Sequence, residues 1–205
     1  MSQTPGIEAA AGRSEPVRRA LEMARKAHAG QVRNGSGGMP YVEHPIAVAE
    51  LLASRGFAAE VLAAALLHDV VEDSAISVEQ VRDSFDEPVA SLVEALTDDE
   101  TIEPYERRKD EHRRRVAAAG PDALAIYAAD KLSNVHTLRG AYASQGEAVG
   151  EEFKVTLDVK VAVWEADLKM LRDALPDLPF LDDLEAELAG LREERISAVP
   201  APPSS

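Results

Sequence analysis

Apolar residues recur at helical spacing along most of the chain, and no stretch alternates apolar and polar residues as a half-buried strand does. The pattern predicts a first helix from Ser14 to about Gly30, with Pro16 suited to its first turn. A second helix is predicted over residues 44–55 and a third over 58–70. The third is apolar on nearly every side, so we expect it to be buried all round.

Further helices are predicted toward the C-terminus. Ser77 and Gln80 fit a capping box that opens a short helix, and Pro88 suits the start of the next one. The remaining helices are predicted over residues 106–115, from Pro121 past Asn134, over 151–175 and over 178–196. The predicted core residues of the 151–175 helix are Val155, Val159, Ala162, Val163 and Trp164. These elements predict an all-α fold, a compact array of about eight to ten helices.

The predicted domain organisation is simple. Residues 14–196 have the periodicity of one compact domain. Residues 1–13 are small and polar, and residues 197–205 are rich in proline, so both are expected to be disordered tails. A glycine-rich loop is predicted within residues 31–42, but no strand precedes it, which argues against a nucleotide-binding P-loop.

The apolar run from Val61 to Leu67 ends in a cluster of charge, His68, Asp69, Glu72 and Asp73. Burying an imidazole and a carboxylate beside such a run is costly unless a partner compensates, and a metal ion would compensate. The missing ligands would come from elsewhere, and the candidates are His44 and Asp130. Two imidazoles with two carboxylates suit a borderline or hard divalent ion that keeps open positions.

Each of these residues also has an ordinary structural interpretation. His44 stands before Pro45 at a helix start, where a histidine is commonly a hydrogen-bonded cap or core residue. Asp130 could form a salt bridge or a cap, and Glu72 and Asp73 could cap the following helix. The combination of all of them in apolar sequence is what favours a metal site.

Five stretches of the chain carry a resemblance to a known family. They are His44-Pro45, Ala64 to Asp73, Ala129 to Asn134, Ala27 to Arg33, and Pro40-Tyr41. In their order along the chain and in their spacing, they resemble the hydrolase domain of the RelA/SpoT alarmone enzymes, which sits in the HD-domain metal phosphohydrolase superfamily. The resemblance runs from about residue 15 to 165, and the chain is similar to the stand-alone metazoan SpoT homologues.

The resemblance implies a function, a cofactor and a site. The implied activity is hydrolysis of the 3′-pyrophosphate of guanosine tetra- or pentaphosphate, which gives GDP or GTP and pyrophosphate. One Mn²⁺ would be held by His44, His68, Asp69 and Asp130. Glu72 and Asp73 would handle protons on the attacking water or the leaving oxygen.

Substrate binding is implied for four residues, Arg33, Lys131, Asn134 and Thr137. Arg33 would pack on the guanine as a planar cation on a planar base. Three positions depart from the family pattern by lacking a positive charge that is common there, namely Asn34, Glu100 and His136. These departures leave the metal chemistry untouched and make the nucleotide preference open.

Composition narrows the function classes. The net charge of −15 argues against general nucleic-acid or anionic-membrane binding. There is no cysteine and no apolar stretch long enough to span a bilayer, so we expect a cytoplasmic protein. A highly charged nucleotide then requires local cations, for which Arg25, Lys26, Arg33 and the basic run 106–115 are candidates. That run could equally be a solvated helix face.

Three other functions stay open. The protein could be an HD phosphohydrolase for another nucleotide, such as a pppApp-type alarmone, NADPH or a simple nucleotide. It could be a non-catalytic module that binds alarmone, although Glu72 and Asp73 argue against that. It could also be a purely structural helical protein, which would leave the buried His-Asp cluster unexplained. A homodimer through exposed apolar positions on the last two helices is likewise left open.

Overall fold

The structure is a computed structural model that describes residues 6–198. Within this range it contains eleven α-helices, one 3₁₀ helix and an isolated bridge between Val32 and Pro40 in place of any strand. The α-helices are α1 Ile7–Arg13, α2 Glu15–Ala27, α3 Glu43–Ser54, α4 Ala59–Leu67, α5 Val70–Asp73, α6 Val78–Ser84, α7 Glu87–Leu96, α8 Tyr105–Ala119, α9 Pro121–Gln145, α10 Leu157–Ala174 and α11 Leu181–Ala198. The 3₁₀ helix is Gly146–Glu152. The all-α prediction is confirmed.

Helix α1 corrects the predicted N-terminal tail. Ile7, Ala10 and Ala11 are buried, and α1 packs against α2 and α3. The tail prediction is therefore wrong for residues 7–13, because a single apolar face was enough to dock this short helix on the core. Residues 1–5 and 199–205 lie outside the described residues, while Ser197 and Ala198 belong to α11.

Helices α4 and α9 form the centre of the array. Every residue of α4 from Val61 to Leu67 is buried, and α9 is buried continuously from Ala123 to Ser133. A helix that is apolar on all sides must be surrounded, and α9 accordingly contacts α3, α4, α7, α8, α10 and α11. Asp130 is on α9, His68 and Asp69 follow the end of α4, and α3, which carries His44, packs against both helices. The packing of the core therefore brings the candidate ligands together.

Local signals fix several helix ends. The capping box of Ser77 and Gln80 is present at the start of α6. The predicted helix 151–175 instead begins at Leu157, where the Thr156 side chain caps it. Its predicted buried face is confirmed for Val163 and Trp164 but wrong for Ala162, which is exposed, while Val161 is buried instead.

Surface features bear on membranes and partners. No helix within residues 6–198 is long and apolar enough to cross a bilayer. On the last two helices, Ile196 is an exposed large apolar side chain. The homodimer stays a prediction.

Candidate active site

A break between α4 and α5 presents the His-Asp pair. α4 ends at Leu67 and α5 begins at Val70, so His68 and Asp69 form the turn between them. The predicted continuous helix 58–70 is therefore interrupted at these two residues. His68 Nδ1 lies 2.7 Å from the Ala65 carbonyl oxygen, to which it donates, and this bond fixes the ring. His68 Nε2 is then left buried without a hydrogen-bond partner among the described residues.

The four predicted ligands meet at this turn. His44 Nε2 lies 3.0 Å from Asp130 Oδ1 and 3.6 Å from Asp69 Oδ2. His68 Nε2 lies 3.2 Å from Asp69 Oδ1 and 3.8 Å from Asp130 Oδ1. One donor atom each of His44, His68 and Asp130 lies within 4.8 Å of the others, and Asp69 borders this group. We call these four residues the His-Asp cluster.

Hydrogen bonds from neighbouring residues hold the cluster in place. On α9, Lys131 Nζ donates to Asp130 Oδ2 over 2.7 Å, and Asn134 Nδ2 donates to Asp130 Oδ1 over 2.6 Å. Ser133 Oγ lies 3.1 Å from His44 Nδ1, the nitrogen that faces away from the cluster. Such bonds to the rear of a ligand orient it and adjust its basicity.

The two imidazoles of the cluster differ in their affinity for a proton. Burial together with the charge of Arg33 lowers the pKa of His44 to about 4. Burial also acts to lower the pKa of His68, but the charges of Asp69 and Asp130 outweigh it and raise that pKa to about 9. Without a metal, a proton on His68 therefore balances part of the carboxylate charge.

A divalent metal ion fits this cluster. The buried Nε2 of His68 has no hydrogen-bond partner among residues 6–198, and it faces two carboxylates that a cation would neutralise. Burial acts to raise the pKa of Asp130, yet Lys131 and the two imidazoles hold it well below its usual range, so the carboxylate is ionised and ready to coordinate. The donor set of two nitrogens and two carboxylates suits borderline and hard divalent ions.

Glu72 and Asp73 lie beside the cluster on α5. Burial, followed by the charge of Asp69, raises the pKa of Glu72 to about 7. Glu72 Oε2 accepts a hydrogen bond of 3.2 Å from the backbone N–H of Asp98. Asp73 Oδ2 accepts from the Tyr41 hydroxyl at 2.6 Å, and the same hydroxyl lies 3.0 Å from Asp69 Oδ2. Glu72 is thus a carboxyl group that can hold or release a proton near neutral pH.

A cavity of about 510 Å³ opens over the cluster. Its lining includes all four predicted substrate-binding residues, Arg33, Lys131, Asn134 and Thr137. Arg33 donates to the Asn134 side-chain oxygen and lies 5.3 Å from the centre of the Tyr41 ring. Its Nη1 is buried without a hydrogen-bond partner among the described residues. Arg33 therefore presents a planar cation to the cavity.

The positions that depart from the family pattern fall on two different surfaces. Asn34 and Glu100 line the cavity, as the prediction supposed. His136 does not, because it is exposed and pairs with Glu187 at 3.0 Å. The expectation that His136 removes charge from the substrate site is therefore wrong.

The other candidate cations, namely Arg25, Lys26 and the basic run 106–115, include residues that line the cavity and residues that do not. Arg25 pairs with Glu8 at the surface, and Lys26 is exposed, so neither borders the cavity. In α8, Arg108 and Lys109 line the cavity, whereas Arg113 binds Asp167 at 2.7 Å. Arg108 and Lys109 thus border the cavity, as the functional interpretation of the basic run expects, while Arg114 is exposed and pairs with Glu111, as expected of a solvated helix face.

Some cavity residues were not singled out from the sequence. Asp98 binds Arg108 at 3.2 Å and Lys109 at 2.6 Å, and this anchors the segment whose backbone N–H reaches Glu72. Tyr41 and Lys160 also line the cavity. Tyr41 stood in the resemblance motif and could have been found there, while Lys160 lies inside the predicted helix 151–175, where nothing in the sequence marked it as a cavity residue.

The fold and this site define the class of protein. A family profile described as HD domain matches residues 20–156, which is more than half of the chain. The chain belongs to the HD-domain family.

Two relatives have sequences similar to part of this chain. The chain is 37% identical over 121 residues to the guanosine-3′,5′-bis(diphosphate) 3′-pyrophosphohydrolase MESH1 of Homo sapiens, a match that covers 58% of this chain and 67% of that protein. It is also 38% identical over 126 residues to the probable GTP pyrophosphokinase of Mycobacterium leprae, and this match covers 60% of this chain. The chain spans only 16% of the length of that second relative.

One solved structure has a fold similar to that of this chain over most of its length. It is described as "A metazoan ortholog of SpoT hydrolyzes ppGpp and plays a role in starvation responses". The two share 29% sequence identity with a TM-score of 0.68, and the match covers 89% of this chain and 96% of the other.

Proposed function

We propose that this protein hydrolyses the 3′-pyrophosphate of guanosine tetra- or pentaphosphate, with Mn²⁺ as its metal ion. The observation that carries the proposal is the position of the His-Asp cluster at the floor of a cavity lined by Arg33, Lys109 and Lys131. The sequence relatives and the structural neighbour described above support the choice of substrate.

His44, His68, Asp69 and Asp130 would hold the metal. A bound divalent ion supplies a water of lowered pKa and neutralises charge on phosphate oxygens. Tyr41 and Lys131 keep Asp69 and Asp130 oriented through their hydrogen bonds.

The reaction breaks one phosphorus–oxygen bond. A water oxygen bonds to the phosphorus next to the ribose 3′ oxygen, the bond between that phosphorus and the 3′ oxygen breaks, and pyrophosphate leaves. The water must lose a proton and the 3′ oxygen must gain one. Glu72 suits this transfer because burial places its pKa at about 7, and the Asp98 N–H keeps its carboxyl in place. Asp73 would assist through Tyr41.

Recognition of the nucleotide is assigned to the cavity wall. Arg33 would stack on the guanine, held in its plane by Asn134 and Tyr41. Thr137 lines the same wall one turn along α9. Lys131 already donates a hydrogen bond to Asp130. Its positive charge would therefore act both on this metal-binding carboxylate and on the phosphate group next to it.

The test is a comparison of kcat/KM across nucleotides. Purified protein with Mn²⁺ is offered guanosine tetraphosphate, pppApp, NADPH and GTP, with release of pyrophosphate or phosphate as the readout. We expect guanosine tetraphosphate to be preferred by at least about tenfold. Preference for another nucleotide would contradict the proposal and would direct attention to Asn34 and Glu100, which line the cavity without adding positive charge.

A further inference from the structure

Lys160 stands apart from the other cations of the cavity. It projects from α10 into the cavity lining, with its Nζ 4.3 Å from the centre of the Phe153 ring and 5.2 Å from that of Trp164. It forms no salt bridge with a carboxylate of residues 6–198. Two aromatic faces therefore hold this ammonium in place without neutralising it.

The remaining lysines and arginines of the cavity are mostly engaged. Lys131 binds Asp130, and Lys154 lies 3.5 Å from Glu100. Arg108 and Lys109 both bind Asp98. Within the described part of the chain, Arg33 and Lys160 are thus the cavity cations without a carboxylate partner. Arg33 is proposed to stack on the guanine, which leaves Lys160 for a phosphate.

The surroundings of Lys160 favour binding of an anion. Burial, together with the positive charges of Lys109, Lys131 and Arg33, lowers the pKa of Lys160 to about 8. Such mutual repulsion destabilises the folded protein unless a ligand relieves it, and a polyanion does so. In a chain of net charge −15, this concentration of cations is a local exception.

The location of Lys160 decides which part of the ligand it meets. The His-Asp cluster is built from α3, the turn between α4 and α5, and α9, and a scissile phosphate must lie against it. Lys160 is on α10, which supplies none of the four residues of the cluster, and its ammonium is held by the rings of Phe153 and Trp164. Its charge is therefore available to phosphates at the other end of the ligand.

We propose that Lys160, held between Phe153 and Trp164, binds the 5′-diphosphate of the nucleotide and selects substrates that carry it. This assignment rests on the proposed function, because it takes the 3′-pyrophosphate to be the group cut at the cluster. Lys160 contributes nothing to bond cleavage; it sets which nucleotides are held.

Binding of GDP and of guanosine tests the assignment without any turnover. Both are titrated calorimetrically at pH 7 into wild-type protein, Lys160→Met and Lys160→Arg. A charge-assisted hydrogen bond to phosphate predicts that Lys160→Met weakens GDP binding roughly 10-fold to 100-fold. Guanosine binding should change less than about twofold, and Lys160→Arg should retain most of the GDP affinity.

Lys169→Met is the matched control, because Lys169 lies on the same helix, is exposed and pairs with Asp173. It removes the same charge from the chain and should leave GDP binding unchanged. Circular dichroism checks folding of each variant, and Lys160→Gln replaces Lys160→Met if the latter does not fold.

Three results would overturn the assignment of Lys160. They are wild-type protein that does not bind GDP at millimolar concentration, equal losses for GDP and guanosine, or equal losses in the Lys160 and Lys169 variants. Failure of the proposed function is a different result, because wild-type protein could then bind GDP through Lys160 and still release no pyrophosphate from guanosine tetraphosphate.

Discussion

His44 Nε2 and Asp130 Oδ1 lie 3.0 Å apart, although one residue is on α3 and the other on α9. The contact exists because α3 and α9 pack directly against each other in the core. His68 and Asp69 reach the same point from the break after α4. The stability of the core and the geometry of the metal site are therefore linked. Metal binding should change the free energy of unfolding, and a change in the residues that hold the cluster should change metal affinity.

Metal binding should stabilise the fold. Mn²⁺ at 100 times its dissociation constant is expected to add about 2.7 kcal/mol to the free energy of unfolding, because the ion binds the folded cluster alone. Asp130→Asn should abolish most of this gain. Thermal unfolding with Mn²⁺ and with a chelator measures it, and an equal rise of Tm in Asp130→Asn would place the ion elsewhere.

Ser133 is expected to be a positioning residue for His44. Removing its hydroxyl in Ser133→Ala leaves His44 Nδ1 without its 3.1 Å partner, so Mn²⁺ affinity should fall about 10-fold or more. The turnover number at saturating metal should change much less. Ser144→Ala is the control on the same helix, since Ser144 is exposed and its hydroxyl donates to the Ala141 carbonyl and not to His44. Equal metal affinities for the two variants would contradict this role.

The raised pKa of Glu72 predicts a pH-dependent stability of the metal-free protein. The carboxyl ionises near pH 4.5 in the unfolded chain and near pH 7 in the folded one. The unfolded state therefore loses this proton first, and stability falls as the pH rises from about 4.5 to 7.

Glu72→Gln should remove that fall. We expect the variant to be about 1 to 3 kcal/mol more stable than wild type at pH 8, and equal to it near pH 4. Urea unfolding in chelator at both pH values measures the difference. The exposed Glu106→Gln should match wild type throughout, and a Glu72→Gln curve parallel to wild type would show that the shift is absent.

In the glycine-rich loop, substitution by alanine should impair substrate binding at one glycine and be tolerated at another. Gly35 has φ +69, and a Cβ there would lie 2.3 Å from Phe153 Cζ. Gly35→Ala should displace the loop that carries Arg33 and raise KM about tenfold or more, with a smaller effect on kcat. Gly38 also has positive φ, +98, but open space around its Cβ position. Gly38→Ala therefore controls for backbone strain, and equal kinetics of the two variants would exclude the clash.

The cluster and the helical class could be predicted from the sequence because both rest on local patterns. His68 and Asp69 stood at the end of an apolar run, and the motifs around His44 and Asp130 supplied their partners. His136 was misjudged although the spacing was informative. It is two positions past Asn134, and two residues turn a helix by about 200°, so the two side chains face opposite ways.

Other features depended on packing that the sequence does not show. Ile7 gave too little periodicity to predict α1, which forms because α2 and α3 cover it. Lys160 is recognisable as a cavity residue only once the fold places it against Phe153 and Trp164 at the cavity wall. The break at His68 likewise follows from tertiary contacts, since the local residues favour a continuous helix.

Pyrophosphate release from guanosine tetraphosphate, measured with Mn²⁺ or chelator in wild-type protein and in Asp69→Ala, tests the metal-dependent hydrolysis most directly. We expect rapid release by wild type with Mn²⁺, loss of it with chelator, and a rate lower by roughly 10²-fold to 10³-fold in Asp69→Ala. Asp173→Asn, a change at an exposed carboxylate on α10, should behave as wild type. Release that persists in chelator, or that is unchanged in Asp69→Ala, would contradict hydrolysis at the His-Asp cluster.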